Sequence, residues 1–153
     1  MRTAHVAIFC ALGMLCASPR QASALSCAIV GDSIVDDLHA YFRDCRFDTK
    51  IGIGSAAIAA HVPGNVDIVV VSAGSNDYLS PRLSGSLEAV RARAGSARVI
   101  WVRPIPRRAA AAVDAVAGRH GDAVVSFAVS PTDREHLHPR SNSALASGIR
   151  KQF

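Results

Sequence analysis

Aromatic residues are scarce in this 153-residue chain, 5% of the total, and that scarcity removes one class of function at the outset. Proteins that hold single-stranded nucleic acid stack its bases on aromatic side chains, and a chain this poor in them lacks the surface, so no nucleic-acid partner is expected. Lysine is scarce too. The basic residues are nearly all arginine and are scattered, and the formal net charge of +5 falls by two once Arg2 and Arg20 leave with a leader. Scattered charge bears on solubility and association, not on fold. The one local cluster, Arg103, Arg107 and Arg108, reads as a solvated helix start. Internal repeats, linkers and disordered low-complexity tracts are also missing; the alanine run Ala109–Ala112 is helix-forming sequence.

The longest apolar stretch, Val6 to Ala17, follows Arg2 and His5 and precedes the small residues Ala22-Ser23-Ala24. That is the layout of a secretory signal peptide, and it is short for a membrane span. The expected organisation is a leader over 1–24 and one domain over 25–153, exported to the periplasm or outside the cell, with no integral membrane span after cleavage. A chain of that size supports one core and no second domain; a monomer is expected. Two cysteines, Cys27 and Cys45, remain in the domain. In an exported chain a single pair suggests one disulfide. The alternative is two unpaired buried thiols.

Five apolar, β-branched runs alternate with helix-like segments. The strands are expected at Cys27–Val30, Thr49–Ile53, Val66–Ser72, Ala97–Val102 and Ala123–Ala128. Val66–Ser72 is a continuous apolar run of the kind buried on both faces of a parallel sheet. Helices are expected over Val35–Asp44, with Val35, Leu38 and Phe42 on one face, and over Ala56–His61. A third follows Ser80-Pro81 and stops at Gly95, a fourth opens at Pro106 and closes by Gly118 and Gly121, and a fifth spans Ser141–Lys151. The alternation argues for an α/β fold: a flavodoxin-like, three-layer α/β/α sandwich with about five parallel strands.

Chemistry-bearing residues stand at the ends of these strands. Gly31-Asp32-Ser33-Ile34 ends the first, where open α/β folds place their sites. A serine hydroxyl there needs a base to become a nucleophile; otherwise Gly-Asp-Ser is a turn, with Ser33 capping the next helix. Gly74-Ser75-Asn76-Asp77 ends the third strand. Asn76 can offer its amide to a developing oxyanion, and Gly, Asn and Asp are equally ordinary turn formers. Near the C-terminus lies Asp133-Arg134-Glu135-His136-Leu137-His138-Pro139. An Asp three residues before a His can fold back and orient the imidazole toward a nucleophile. Metal binding through His136, His138 and Asp133 is a competing chemistry, but further ligands are not obvious, since His39, His61 and His120 lie in unrelated segments.

Taken in order, these blocks resemble the SGNH, or GDSL-type, hydrolase superfamily. Val30-Gly31-Asp32-Ser33-Ile34 is similar to its first block, Gly74-Ser75-Asn76-Asp77 to its Gly-x-Asn-Asp block, and Asp133-x-x-His136 with the following Pro139 and Ala144-Leu145-Ala146 to its last. The resemblance spans nearly the whole mature chain. It implies the SGNH hydrolase fold and a serine esterase that needs no cofactor and no metal. Ser33 would be the nucleophile, His136 the base and Asp133 its orienter. The oxyanion donors would be the Ser33 amide, the Asn76 side chain and a second-block amide, either Ser55 or, if the register slips by one, Gly54. The second block, Gly52-Ile53-Gly54-Ser55, departs from the family, which usually has a glycine at the donor position. His138 is the rival base; its five-residue distance from Asp133 and its place before Pro139 make it the expected rim residue. Short inter-motif loops leave no evident lid or acyl tunnel, so the implied substrates are short acyl or acetyl esters, with a glycan as one possible carrier. A non-catalytic envelope- or glycan-binding module on the same fold is the alternative.

Overall fold

The computed structural model describes residues 25–133 and 137–153; the expected leader over 1–24, and His136 with it, lie outside the described residues. Five strands form one sheet: β1 (Cys27–Gly31), β2 (Arg46–Thr49), β3 (Ile68–Ser72), β4 (Arg98–Val102) and β5 (Ala123–Val125). Every pairing is parallel, and the order across the sheet is β2-β1-β3-β4-β5. The helices are α1 (Ser33–Asp36), α2 (Ser55–Ile58), α3 (Leu83–Ala94), α4 (Arg107–His120) and α5 (Asn142–Arg150), with a 3-10 turn over Ala59–His61.

Parallel strands need crossover helices, and those helices cover both faces of the sheet. The period of two along each strand then divides its side chains between two cores. Val69 and Val71 of β3 join Val30, Val99 and Trp101 against α2, α3 and α4. Ile68 and Val70 point the other way, joining Ile29, Ile100 and Val102 against α1 and α5. Trp101 is fully buried, and its indole N–H donates to Asp122 at 3.0 Å. Asp122 also pairs with Arg91, so the polar edge of the ring is satisfied where the core meets α3.

Two expected elements are displaced. The second strand runs over Arg46–Thr49, not Thr49–Ile53. Gly52 sits at φ 76°, which ends extended backbone after Lys50. The apolar residues beyond it are loop: Ile53 is buried and Ile51 is 73% exposed. As an edge strand, β2 has only β1 beside it, and its Phe47 stacks on His39. The first helix is regular only over Ser33–Asp36. Leu38, Tyr41 and Cys45 then each donate to the carbonyl three residues back, giving tighter turns. Val35, Leu38 and Phe42 are nevertheless buried as their spacing predicts.

Cys27 and Cys45 are joined in a disulfide, with Cα atoms 4.7 Å apart. It ties the start of β1 to the end of the irregular segment that regular hydrogen bonding leaves weakly held. Replacing both cysteines by serine should lower unfolding free energy by about 2–4 kcal/mol. Urea denaturation of the two proteins measures this, and equal midpoints would contradict it.

Candidate active site

In a sheet ordered 2-1-3-4-5 the chain leaves β1 toward one side and β3 toward the other. The crevice between their carboxyl ends is where open α/β sheets bind ligands. Ser33 lies two residues past the end of β1, and Asn76 lies four past the end of β3.

The turn bearing Ser33 is built by close approach. Gly31 takes φ 138°, and a Cβ on it would stand 2.1 Å from the Ser72 carbonyl oxygen; only glycine fits. The contact brings Asp32 onto β3. Its backbone N–H donates to Ser72 O, and its Oδ1 accepts from the Ser72 hydroxyl at 2.6 Å and from the Ile34 N–H at 3.2 Å. Asp32, not Ser33, is therefore the N-cap of α1. Ser33 becomes the first helical residue, half-buried with its hydroxyl free for other work.

That hydroxyl meets a histidine. His138 Nε2 stands 3.1 Å from Ser33 Oγ, and His138 Nδ1 stands 3.1 Å from Asp133 Oδ2. With the proton on Nδ1, the ring donates to Asp133 and accepts from Ser33. The histidine expected at the rim is thus the one against the serine, while His136, the expected base, lies outside the described residues. The reason is visible in the loop. Asp133 Oδ2 also accepts the backbone N–H groups of Leu137 and His138, both at 2.7 Å. A carboxylate that wraps the chain this way brings its fifth neighbour back onto itself. Pairing of Val129 with Pro139 and a bond from Ser130 N–H to His138 O close the base of the loop. His138 is engaged with both Asp133 and Ser33; His136, the third member of the metal-binding set considered above, is outside the described residues.

The oxyanion donors divide differently from expectation. Asn76 is exposed; its side-chain amide donates to Ile53 O at 3.0 Å, which fixes the amide plane and leaves a second N–H. Ser55 is buried and committed to Asp77: its N–H donates to Oδ2 at 3.0 Å and its hydroxyl to Oδ1 at 2.8 Å. The Ser55 amide expected at an oxyanion is therefore occupied. Gly54, the alternative donor, is the N-cap of α2 and follows Ile53, whose carbonyl Asn76 holds. The Ser33 amide, by contrast, stands in the first turn of α1.

Ser33, Asn76, Asp133 and His138 open onto one cleft of about 730 Å³, shared with Asp36, Asp37 and Ile51. Sequence reasoning did not single out the two aspartates or Ile51. The aspartates' spacing from Ser33, three and four residues along a helix, was the available signal.

Burial holds the Asp32 carboxyl above its ordinary range, against the opposing hydrogen bonds from Ser72, Ile34 and Ser75 and the charge of His138. Among the described residues, its Oδ2 lacks a hydrogen-bond partner of ordinary geometry, as does the neighbouring Ser75 hydroxyl.

The chain is similar in fold to three solved structures of bacterial proteins. A candidate GDSL-like lipase from Bacteroides ovatus superposes with a TM-score of 0.62 at 10% identity, covering 84% of this chain and 97% of the other. A second, from Bacteroides uniformis, gives 0.61 at 13% identity over 84% and 92%. An acetyl xylan esterase from Butyrivibrio proteoclasticus gives 0.55 at 12% identity over 84% of this chain and 62% of its own. No protein-family model and no curated protein sequence matches the chain. At such identities the likeness is one of fold: this is the α/β/α fold of the GDSL-type hydrolases.

A carboxyl whose folded pKa is raised binds its proton more tightly in the folded state. Its contribution therefore favours folding at low pH and is lost as pH rises above the ordinary value of 3.8. Asp32→Asn keeps the acceptor for Ser72 and Ile34 and adds a donor toward Ser75. It should be at least as stable as the wild type at pH 7, with its relative advantage shrinking toward pH 3. Chemical denaturation across that range tests the sign; an advantage that grows on acidification would contradict it.

Proposed function

We propose that this chain is an exported serine esterase that hydrolyses carboxylic esters through an acyl-enzyme. One observation carries the reading: Ser33 Oγ, His138 and Asp133 stand in hydrogen-bonded succession, 3.1 Å at each step. The fold shared with the GDSL-type hydrolases supports it.

In this reading His138 Nε2 removes the Ser33 proton as Oγ attacks the ester carbonyl. Asp133 holds the Nδ1–H tautomer and stabilises the imidazolium that forms. Its bonds to the Leu137 and His138 amides fix the ring's backbone, so proton transfer needs no loop rearrangement. Negative charge on the carbonyl oxygen is met by the Ser33 N–H and the free N–H of Asn76. This is a two-donor hole, because Ser55 is bound to Asp77. Collapse of the tetrahedral intermediate expels the alcohol, which takes the proton from His138. Water then repeats the sequence on the acyl-serine, releasing the acid.

The cleft is open and no tunnel is needed to describe it, which favours short acyl groups such as acetyl. A glycan carrier is supported by the acetyl xylan esterase among the similar folds. The Cys27–Cys45 disulfide suits an oxidising compartment, in keeping with a leader over 1–24. No helix among the described residues is long and apolar enough to cross a membrane. A binding module that had abandoned catalysis would have no use for Ser33, His138, Asp133 and Asn76 held in register.

Ser33→Ala and His138→Ala should each lower kcat/KM on a short-chain aryl ester by about a thousandfold or more. The double variant should be little worse than either, because the two residues act as a unit. Asn76→Ala should cost about a hundredfold or more, mainly in kcat. Steady-state kinetics on purified, folded variants decides the matter. Near-wild-type turnover by Ser33→Ala would end the enzyme reading, and near-wild-type turnover by His138→Ala would return the base to His136.

A further inference from the structure

The described lining of the cleft carries a charge opposite to that of the chain. Ser33, Asp36 and Asp37 stand at spacings of three and four, which place side chains on one helix face, and all three line the cleft. Asp36 is steadied by a hydrogen bond from the Thr49 hydroxyl. Asp37 is exposed and is in no ion pair among the described residues. No lysine or arginine is among the described residues that line the cleft, although the formal charge of the whole chain is +5. Lys50 follows Thr49 but does not line the cleft. The arginines that have carboxylate partners find them elsewhere: Arg91 at Asp122, Arg103 at Asp114 and Arg119 at Glu88.

Asp36 closes the single turn of α1 and is tied to Thr49, whereas Asp37 follows it exposed, with no side-chain hydrogen bond or ion pair among the described residues. Their common property is their position: they face the space where a substrate bound to Ser33 must lie. An ester carrying a carboxylate or phosphate would meet like charge from these two side chains. An ester carrying an ammonium group would meet two carboxylates, one of them held by Thr49.

We propose that Asp37, seconded by Asp36, is a specificity-determining residue that selects esters bearing a positive charge over neutral and anionic ones. The inference rests on the esterase reading and names the substrate class of that same site. The charged group is remote from the reacting carbonyl, so the interaction is present equally in the ground and transition states. It therefore acts on KM and leaves kcat nearly unchanged. For an exposed ion pair the expected gain is about two- to fivefold per carboxylate. Salt should screen it, since the Debye length falls to about 3 Å at 1 M.

The test compares three acetate esters: that of a trimethylammonio-ethanol, its neutral carbon isostere 3,3-dimethylbutyl acetate, and the carboxylate-bearing 4-acetoxybutanoate. Each is assayed with wild type, Ser33→Ala, Asp37→Asn and Asp37→Lys at low and high salt. The expected order of kcat/KM in the wild type is cationic, neutral, anionic. The cationic-to-neutral ratio should fall about two- to fivefold in Asp37→Asn, and Asp37→Lys should favour the anionic ester. Turnover of the neutral ester should stay within about twofold of wild type in both, which also reports that the fold is intact. A ratio unchanged in Asp37→Asn, or a wild type that prefers the anion, overturns the inference while leaving the esterase reading standing. Absence of Ser33-dependent turnover on all three esters overturns both.

Discussion

The site depends on one close approach, that of Gly31 to the carbonyl of Ser72. It is possible only because Gly31 has no Cβ, and it brings the end of β1 within hydrogen-bond reach of the end of β3. Asp32 then bonds backbone and side chain to Ser72 and caps α1. That removes from Ser33 the capping duty a serine at such a turn would otherwise perform. The Ser33 hydroxyl is available because its neighbour's carboxylate has taken over the structural role. Burying that carboxylate raises its pKa, a local cost that a cap on an isolated helix would not incur.

The opposite wall is organised by a second carboxylate. Asp133 draws the Leu137 and His138 amides and the His138 ring onto Oδ2. A third, Asp77, draws in Ser55 through both its amide and its hydroxyl. Three aspartates thus set three loops by binding backbone N–H groups, a strong and directional use of a charged acceptor. The loops they brace surround the crevice that strand order alone predicts between β1 and β3. Asp36 and Asp37 have no such backbone-bracing duty, which is why their charge is left to act on whatever enters the cleft.

Much of this was legible from residue order. The apolar runs identify four of the five strands, and the continuous run through Val69–Val71 identifies a central one. Ser33, Asn76 and Asp133 reach the cleft as their motifs imply, and Cys27 pairs with Cys45. What the sequence left obscure follows from interactions between distant segments. The first helix gives way after Asp36 to turns bonded three residues back. The second strand ends at a Gly52 turn that an apolar pattern alone reads as strand. Three-residue spacing, which lets Asp133 meet the near nitrogen of His136, suggested that residue, which lies outside the described residues. What the described loop shows is Asp133 binding amides four and five residues ahead and the His138 ring, and no local propensity encodes that arrangement. The Ser55 amide was likewise claimed by Asp77, 22 residues away.

The central claim is that Ser33 is a nucleophile activated by His138. Treatment of the protein with a fluorophosphonate ester, followed by peptide mass spectrometry, tests it without knowledge of the substrate. The account predicts a single phosphonylated residue, Ser33, and a labelling rate that drops sharply in His138→Ala. Labelling of another residue, or labelling of Ser33 at an undiminished rate in His138→Ala, would contradict it.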